Sequence, residues 1–208
     1  MDGVFMKKLT KLLGVCFLVA VLLWCTSVMA DRQRLNEDLI RLHVVADSDE
    51  NQDQQIKLQV KDAVVSYLQT EMPRDMNTQQ AKAWLEGNLQ QIQSVANRVL
   101  ADGQQAYTAV VTLAQQAFPT REYDTFTLPA GVYESLRITI GEGEGRNWWC
   151  VVFPSLCLPA TTDGFEDAAV GAGFSDTLTG SLTGQQPYQI RFFLLDCLGW
   201  LENFLFWG

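Results

Sequence analysis

Basic residues and histidine are scarce in this chain. Against 24 Asp and Glu stand 15 Lys and Arg and one His, giving 208 residues a formal net charge of −9. Such a surface would approach phosphates against its own field, so a nucleic-acid partner is not expected. Five cysteines and one histidine with no short paired spacing argue against a structural zinc site, which needs four ligands close together. No GxSxG elbow and no HExxH pair occurs, so two common hydrolase patterns are missing. Between Asn147 and Ile190 there is not a single Lys or Arg. What is plentiful is apolar: 48% of the chain is hydrophobic and 11% aromatic, enough for one core and hardly for two.

The longest charge-free run lies at the start. Lys7, Lys8 and Lys11 precede an uncharged run from Leu12 to Ala30 that ends in Val28-Met29-Ala30, a small-residue pattern before Asp31. Residues 1–30 therefore read as a secretory signal peptide cleaved after Ala30 or, because the run is long enough to cross a bilayer, as an uncleaved membrane anchor. The three lysines would hold that end in the cytoplasm and put the rest outside. In that oxidising setting Cys150 and Cys157, seven apart with Pro154 between them, can be bridged through a turn; the alternative is that they are buried thiols.

Periodicity outlines the folded part, residues 35–208. Leu39 to Val45 alternates, with Ile40, Leu42 and Val44 on one side and Arg41 and His43 on the other, which predicts a strand. Ile56, Val60, Val64 and Tyr67 or Leu68 mark a helical stripe, with Ser48 or Asp49 as its cap. A second stripe through Ala81, Leu85, Ile92 and Val99 starts at Asn77 or Thr78 and ends at Asp102-Gly103, the glycine taking a left-handed conformation. Strands are expected over 106–113, 133–140 and 148–153, the last two joined as a hairpin by the glycine-rich tip Gly141 to Asn147. The stretch 160–187, rich in Gly, Thr and Ala, reads as a flexible insertion. After it come a strand over 188–194 and an apolar helix over 195–207, with Asp196 and Glu202 on its wet side. The fold class is α+β: a single domain whose largely antiparallel sheet carries amphipathic helices on one face.

Three constellations deserve chemical tests. Asp47 to Asp53 alternates oxygen ligands like a calcium loop, but Gln52 and Leu58 occupy the positions that need Gly and a bidentate Glu, so helix capping explains it better. The GxGxG of the 141–145 tip lies between strands and carries Glu142 and Glu144, which would repel phosphate. A thiolate at Cys150 with His43 as base, oriented by Asn147, would make a secreted hydrolase; nothing local to Cys150 supports it, and no catalytic residue, metal or cofactor is expected. On the sheet face opposite the helices, Arg41, His43, Arg137 and Trp148 (or Trp149) would form a partner-binding anchor if left open. The other arrangement has the last helix or the insertion cover that face.

The blocks LIRLHVVADSDENQDQQIK (39–57), with VKDAVVSYL after it, and LPAGVYESLRITIGEGEGRNWWCVVFPSLC (128–157) resemble the stage II sporulation protein R family of endospore-forming bacteria. The resemblance implies an exported intercompartmental signal rather than an enzyme. Such a protein is made in the forespore and delivered to the intermembrane space. There it activates a membrane-embedded aspartic peptidase, the sigma-E factor processing peptidase, which processes pro-sigma-E in the mother cell. The family supplies no catalytic residues to transfer, so Arg41, His43, Arg137 and Trp148 stand as contacts proposed from the sequence itself.

Overall fold

The computed structural model describes residues 2–73, 75–123, 126–153, 174, 176–183 and 189–207. It opens with one long helix, α1 (Asp2–Asp38). Among the described residues its Lys8–Asp38 stretch is the one helix long and apolar enough to cross a membrane, as a signal or anchor segment would be. The helix runs unbroken past Ala30, and its last turns belong to the folded body, with Val28 and Leu35 buried.

β1 (Ile40–Val45) follows directly, then α2 (Asn51–Glu71) and α3 (Thr78–Asp102). In α2 the expected stripe is buried: Ile56, Val60, Val64 and Leu68 recur every four residues, which is one helix face. The cap differs from expectation, since Glu50 holds that position without a side-chain bond and Ser48 instead accepts from the Glu50 amide. At α3 the cap is the expected Asn77, whose Oδ1 accepts from the Gln80 amide at 2.9 Å while Gln80 Oε1 accepts from the Asn77 amide. The left-handed residue after α3 is Gln104 (φ 55) rather than Gly103. Gly103 is there for space: a Cβ would lie 2.7 Å from Ile56 Cδ1.

Six strands complete the framework: β2 (Ala109–Phe118), the two-residue pair β3 (Arg121–Glu122) and β4 (Thr127–Leu128), β5 (Gly131–Ile140) and β6 (Asn147–Phe153), besides β1. The main sheet has the order β2-β5-β1-β6, with β2 antiparallel to β5, β5 parallel to β1 and β1 antiparallel to β6. The expected hairpin of β5 and β6 is therefore absent, because β1 lies between them. The 141–146 segment crosses over the end of β1 instead of turning back on its own strand. Adjacency in sequence suggested a hairpin; the parallel β1–β5 pairing, a contact about 95 residues apart in sequence, displaced it.

α2 and α3 cover one face of the sheet, where Leu42, Val44, Leu136, Ile138 and Ile140 meet Val60, Val64, Leu85, Ile92 and Ala96. Of the two arrangements left open for the other face, the covered one is found. Leu39, Phe118, Tyr133 and Val151 pack there with the end of α1, with α4 (Asp176–Leu182) and with α5 (Gln189–Trp207). Within the 160–187 stretch, Phe174, Leu178 and Leu182 are buried in this second core, so that part is not a free surface loop; most of the rest lies outside the described residues. The expected 188–194 strand is helical from Gln189 on. Asp196 and Glu202 do not face water as expected. They turn inward to hydrogen-bonding groups that the sheet leaves at its end, Asp196 to Thr120 and the Ala130 amide, Glu202 to Arg32 and the Val132 amide.

Candidate functional site

The two sequence blocks that carry the family resemblance meet at the C-terminal end of β1. As β5 ends, Gly141 (φ +56) and Gly143 (φ +68) adopt left-handed turns that glycine makes at low cost, and the chain folds across the top of β1. Backbone amides then bond downward: Glu144 to the Asp47 carbonyl and Gly145 to the Ala46 carbonyl, both at 3.0 Å. Two carboxylates complete the clasp, Asp47 Oδ1 accepting from the Glu142 amide and Asp49 Oδ1 from the Arg146 amide, each at 2.7 Å. A Cβ on Gly145 would run into the Ser48 backbone, so only glycine permits this approach. The acidic run that resembled a calcium loop thus spends Asp47 and Asp49 on backbone donors, and charge-assisted bonds of this kind are stronger than neutral ones.

Behind the clasp lies a buried polar support. Asp53 accepts from Ser48 Oγ and from the Tyr107 hydroxyl, the latter at 2.6 Å. Hydrogen bonds from Ser48 and then Tyr107 hold the Asp53 carboxyl below the usual range, while burial, reinforced by Asp53, pushes the Tyr107 phenol well up. Lys57 is buried too, donating to Gln54 Oε1 at 2.7 Å and to the Arg146 carbonyl at 3.0 Å. Burial foremost, with Arg146 adding to it, lowers its pKa. The outward surface of this end carries Glu142, Glu144, Arg146 and Asn147, all exposed, with Trp148 beside them and Lys61 Nζ 4.8 Å from the centre of its indole.

The four proposed contact residues do not share one open face. Trp148 pairs with Val44 in register and lies on the α2 side, 38% exposed. Arg41 and His43 lie on the other side and are buried, at 0% and 5%. Arg137 is half-buried there, next to exposed Val110 and Thr112 on β2. The correction has a simple cause: alternation along β1 told which residues share a side but not that α5 and the aromatic residues would close it.

Arg41 is held by ring faces, with its guanidinium 4.1 Å from the Phe118 centroid and 4.9 Å from that of Tyr133. Its Nη2 donates to the Tyr123 hydroxyl at 3.2 Å, and its Nε and Nη1 have no hydrogen-bond partner among the described residues. Burial pushes the Tyr133 phenol up to about 12. His43 stacks on Trp149 at 3.7 Å, its cross-strand neighbour, and its Nε2 and Nδ1 lie 2.7 Å from Asn147 Oδ1 and 3.1 Å from Gln116 Oε1. Burial lowers the His43 pKa, and the bonds to Asn147 and Gln116 only partly oppose it. Of the two tryptophans that sequence left open for this side it is Trp149 that lies here, and Gln116 was not singled out; the β1–β6 register that brings Trp149 onto His43 is a long-range property.

Asn147 does reach His43, but Cys150 does not. Cys150 pairs with Leu42 and packs with the α2–α3 core, on the side of the sheet opposite His43, and it is disulfide-bonded rather than a free thiol. The Cys150–His43 dyad is therefore not assembled. Cys157, the expected disulfide partner, lies outside the described residues.

Residues 36–163 match the family model for stage II sporulation protein R. The chain is also 35% identical over 122 residues to the Stage II sporulation protein R of Bacillus subtilis (strain 168), an alignment covering 59% of this chain and 54% of that protein. It thus spans about half the length of that curated relative. No solved structure matches it. The matched segment begins in the last turn of α1 and includes the whole clasp, whereas α4 and α5 lie beyond it.

Proposed function

Because the chain belongs to the stage II sporulation protein R family, we propose that it serves sporulation as an exported signalling protein. In this reading it activates a membrane-embedded aspartic peptidase, the sigma-E factor processing peptidase, and so leads to processing of pro-sigma-E in the mother cell. It leaves the forespore for the intermembrane space by means of α1, whether as signal or anchor. The observation that carries the reading is the clasp. The family-like blocks interlock at one end of β1 and hold Glu142, Glu144, Arg146 and Trp148 on a surface fixed by backbone hydrogen bonds. A preorganised surface loses little freedom on binding, so more of its contact energy is available to favour one receptor state. Trp148 is the natural anchor, since exposed Trp flanked by charge is typical of interaction hot spots. Arg137 lies on the other side of the sheet and is not part of this surface, while His43 positions β6 from within through Trp149 and Asn147.

The test is co-expression in a non-sporulating bacterium of this chain, its cognate peptidase and pro-sigma-E, with substrate size followed by immunoblot. Processing is expected only with an exported chain, and deletion of residues 1–30 should abolish it. Trp148→Ala, which removes roughly 2 kcal/mol if Trp148 is a hot spot, should weaken processing by more than tenfold at limiting protein. Substrate that stays full length beside folded, exported chain and peptidase would overturn the proposal.

A further inference from the structure

α5 is an amphipathic helix turned inside out. Its polar side faces the protein: Asp196 bonds Thr120 and the Ala130 amide, Glu202 bonds Arg32, Asn36 and the Val132 amide, and Asn203 donates to the Phe118 carbonyl at 2.8 Å. Between them Gly199 lies so close to the Ala130 carbonyl that a Cβ would collide with it. Its outward side is apolar, with Ile190, Phe193, Trp200, Leu201, Phe204 and Leu205 each at least half exposed. Six large apolar side chains exposed on one helix face are not the singly scattered apolar residues of an ordinary surface; a face of this kind marks an interaction or membrane site.

The place of this face indicates what covers it. Glu202 joins α5 to Arg32 and Asn36 of α1, one to two turns beyond the exposed apolar stretch of α1 that is suited to a bilayer. α5 is therefore anchored to α1 close to its apolar stretch, with its own apolar side turned outward. A protein partner would find few hydrogen-bonding groups on it, although protein interfaces usually carry about one such bond per 100–200 Å². A lipid surface asks for none, and Trp200 suits the boundary between headgroups and acyl chains.

We infer that α5 lies along the extracytoplasmic surface of the bilayer entered by α1, with Phe193, Trp200 and Phe204 in the lipid. α1 and α5 together then fix the height and tilt of the sheet above the membrane. This placement takes α1 as the retained anchor, the second of its two readings, and does not depend on which receptor the clasp engages.

Spin labelling of the full chain in vesicles of equimolar phosphatidylethanolamine and phosphatidylglycerol tests it. In a Cys16→Ala, Cys25→Ala, Cys197→Ser background, a nitroxide is attached at Phe204→Cys and, as an aqueous control, at Glu86→Cys on exposed α3. The ratio of relaxation by oxygen to relaxation by a water-soluble nickel complex should be several-fold higher at 204 than at 86. Circular dichroism and an unchanged α3 spectrum establish that the variants are folded. Equal ratios at the two positions would place α5 in water, and a 204 label shielded from both reagents would place it against protein. Either result overturns the inference.

Discussion

The two faces of the central sheet are closed by different means. Under α2 and α3 the contact is aliphatic and regular: β-branched and Leu side chains of β1 and β5 meet helix stripes spaced by three and four residues. On the other side a buried arginine lies between Phe118 and Tyr133, a histidine stacks on Trp149, and α5 docks through carboxylates. The first face would hold any chain of that pattern together. The second depends on particular pairs, and it is the side on which the α1 segment joins the folded body through Arg32, Leu35 and Asn36. The first face is thus expected to carry most of the stability, and the second the orientation of the domain relative to α1.

Truncating the regular face should cost most. Leu85→Ala removes a fully buried side chain from the α3 stripe and is expected to destabilise the whole domain by about 3 kcal/mol, read as a lower urea midpoint with all probes moving together. A clearly smaller shift would mean that the second face carries more of the stability than its irregular packing suggests. Next comes Gly199→Ala, which forces α5 away from Ala130 at roughly 2 kcal/mol. Hydrogen exchange should speed up in α5 while α2 and α3 stay protected; uniform acceleration would show that the two faces are not separable. Third is Arg41. Arg41→Met keeps volume and removes a buried charge, so it should stay within about 1 kcal/mol of the parent in the same urea titration. Arg41→Ala leaves a cavity between the rings and should lose more than Arg41→Met does.

The smallest effect is a pH dependence. His43 has its folded pKa below 6.5, so the unfolded chain takes up a proton first as pH falls. Stability from this group is complete above about 6.5 and declines as pH drops toward the folded value, below which the loss levels off. Subtracting the urea stability of His43→Gln from that of the parent between pH 7.5 and about 5 isolates it. The difference should shrink on acidification, and a difference that stays flat would mean the ring is not desolvated as described.

Much of this was legible in local pattern. Ile56, Val60 and Val64 with Tyr67 or Leu68 announce α2, Asn77 or Thr78 announces the start of α3, and the alternation in β1 sorts Leu42 and Val44 from Arg41 and His43. These signals are local because a helix stripe or a strand side is set by neighbours within a few residues. What the pattern left out is what covers each side. Gly141 to Asn147 looked like a hairpin tip because nothing nearby shows that β1 will insert between β5 and β6. Asp196 and Glu202 looked solvated because a carboxylate in an apolar helix usually is; the amides of Ala130 and Val132 that they serve lie more than sixty residues earlier. For the candidate site, sequence named Trp148 or Trp149 beside Arg41 and His43, whereas the register puts Trp149 there and Trp148 on the α2 side, and the bonds of Asp47 and Asp49 needed the crossing of the 141–146 segment.

A protein that acts through the clasp at the end of β1 must bury that clasp against its receptor. Hydrogen exchange of the full chain with and without the detergent-solubilised peptidase tests it most directly. The account predicts added protection confined to 47–53 and 142–148. Exchange that is unchanged there, or protection that appears instead at the 90–100 turns of α3, would contradict it.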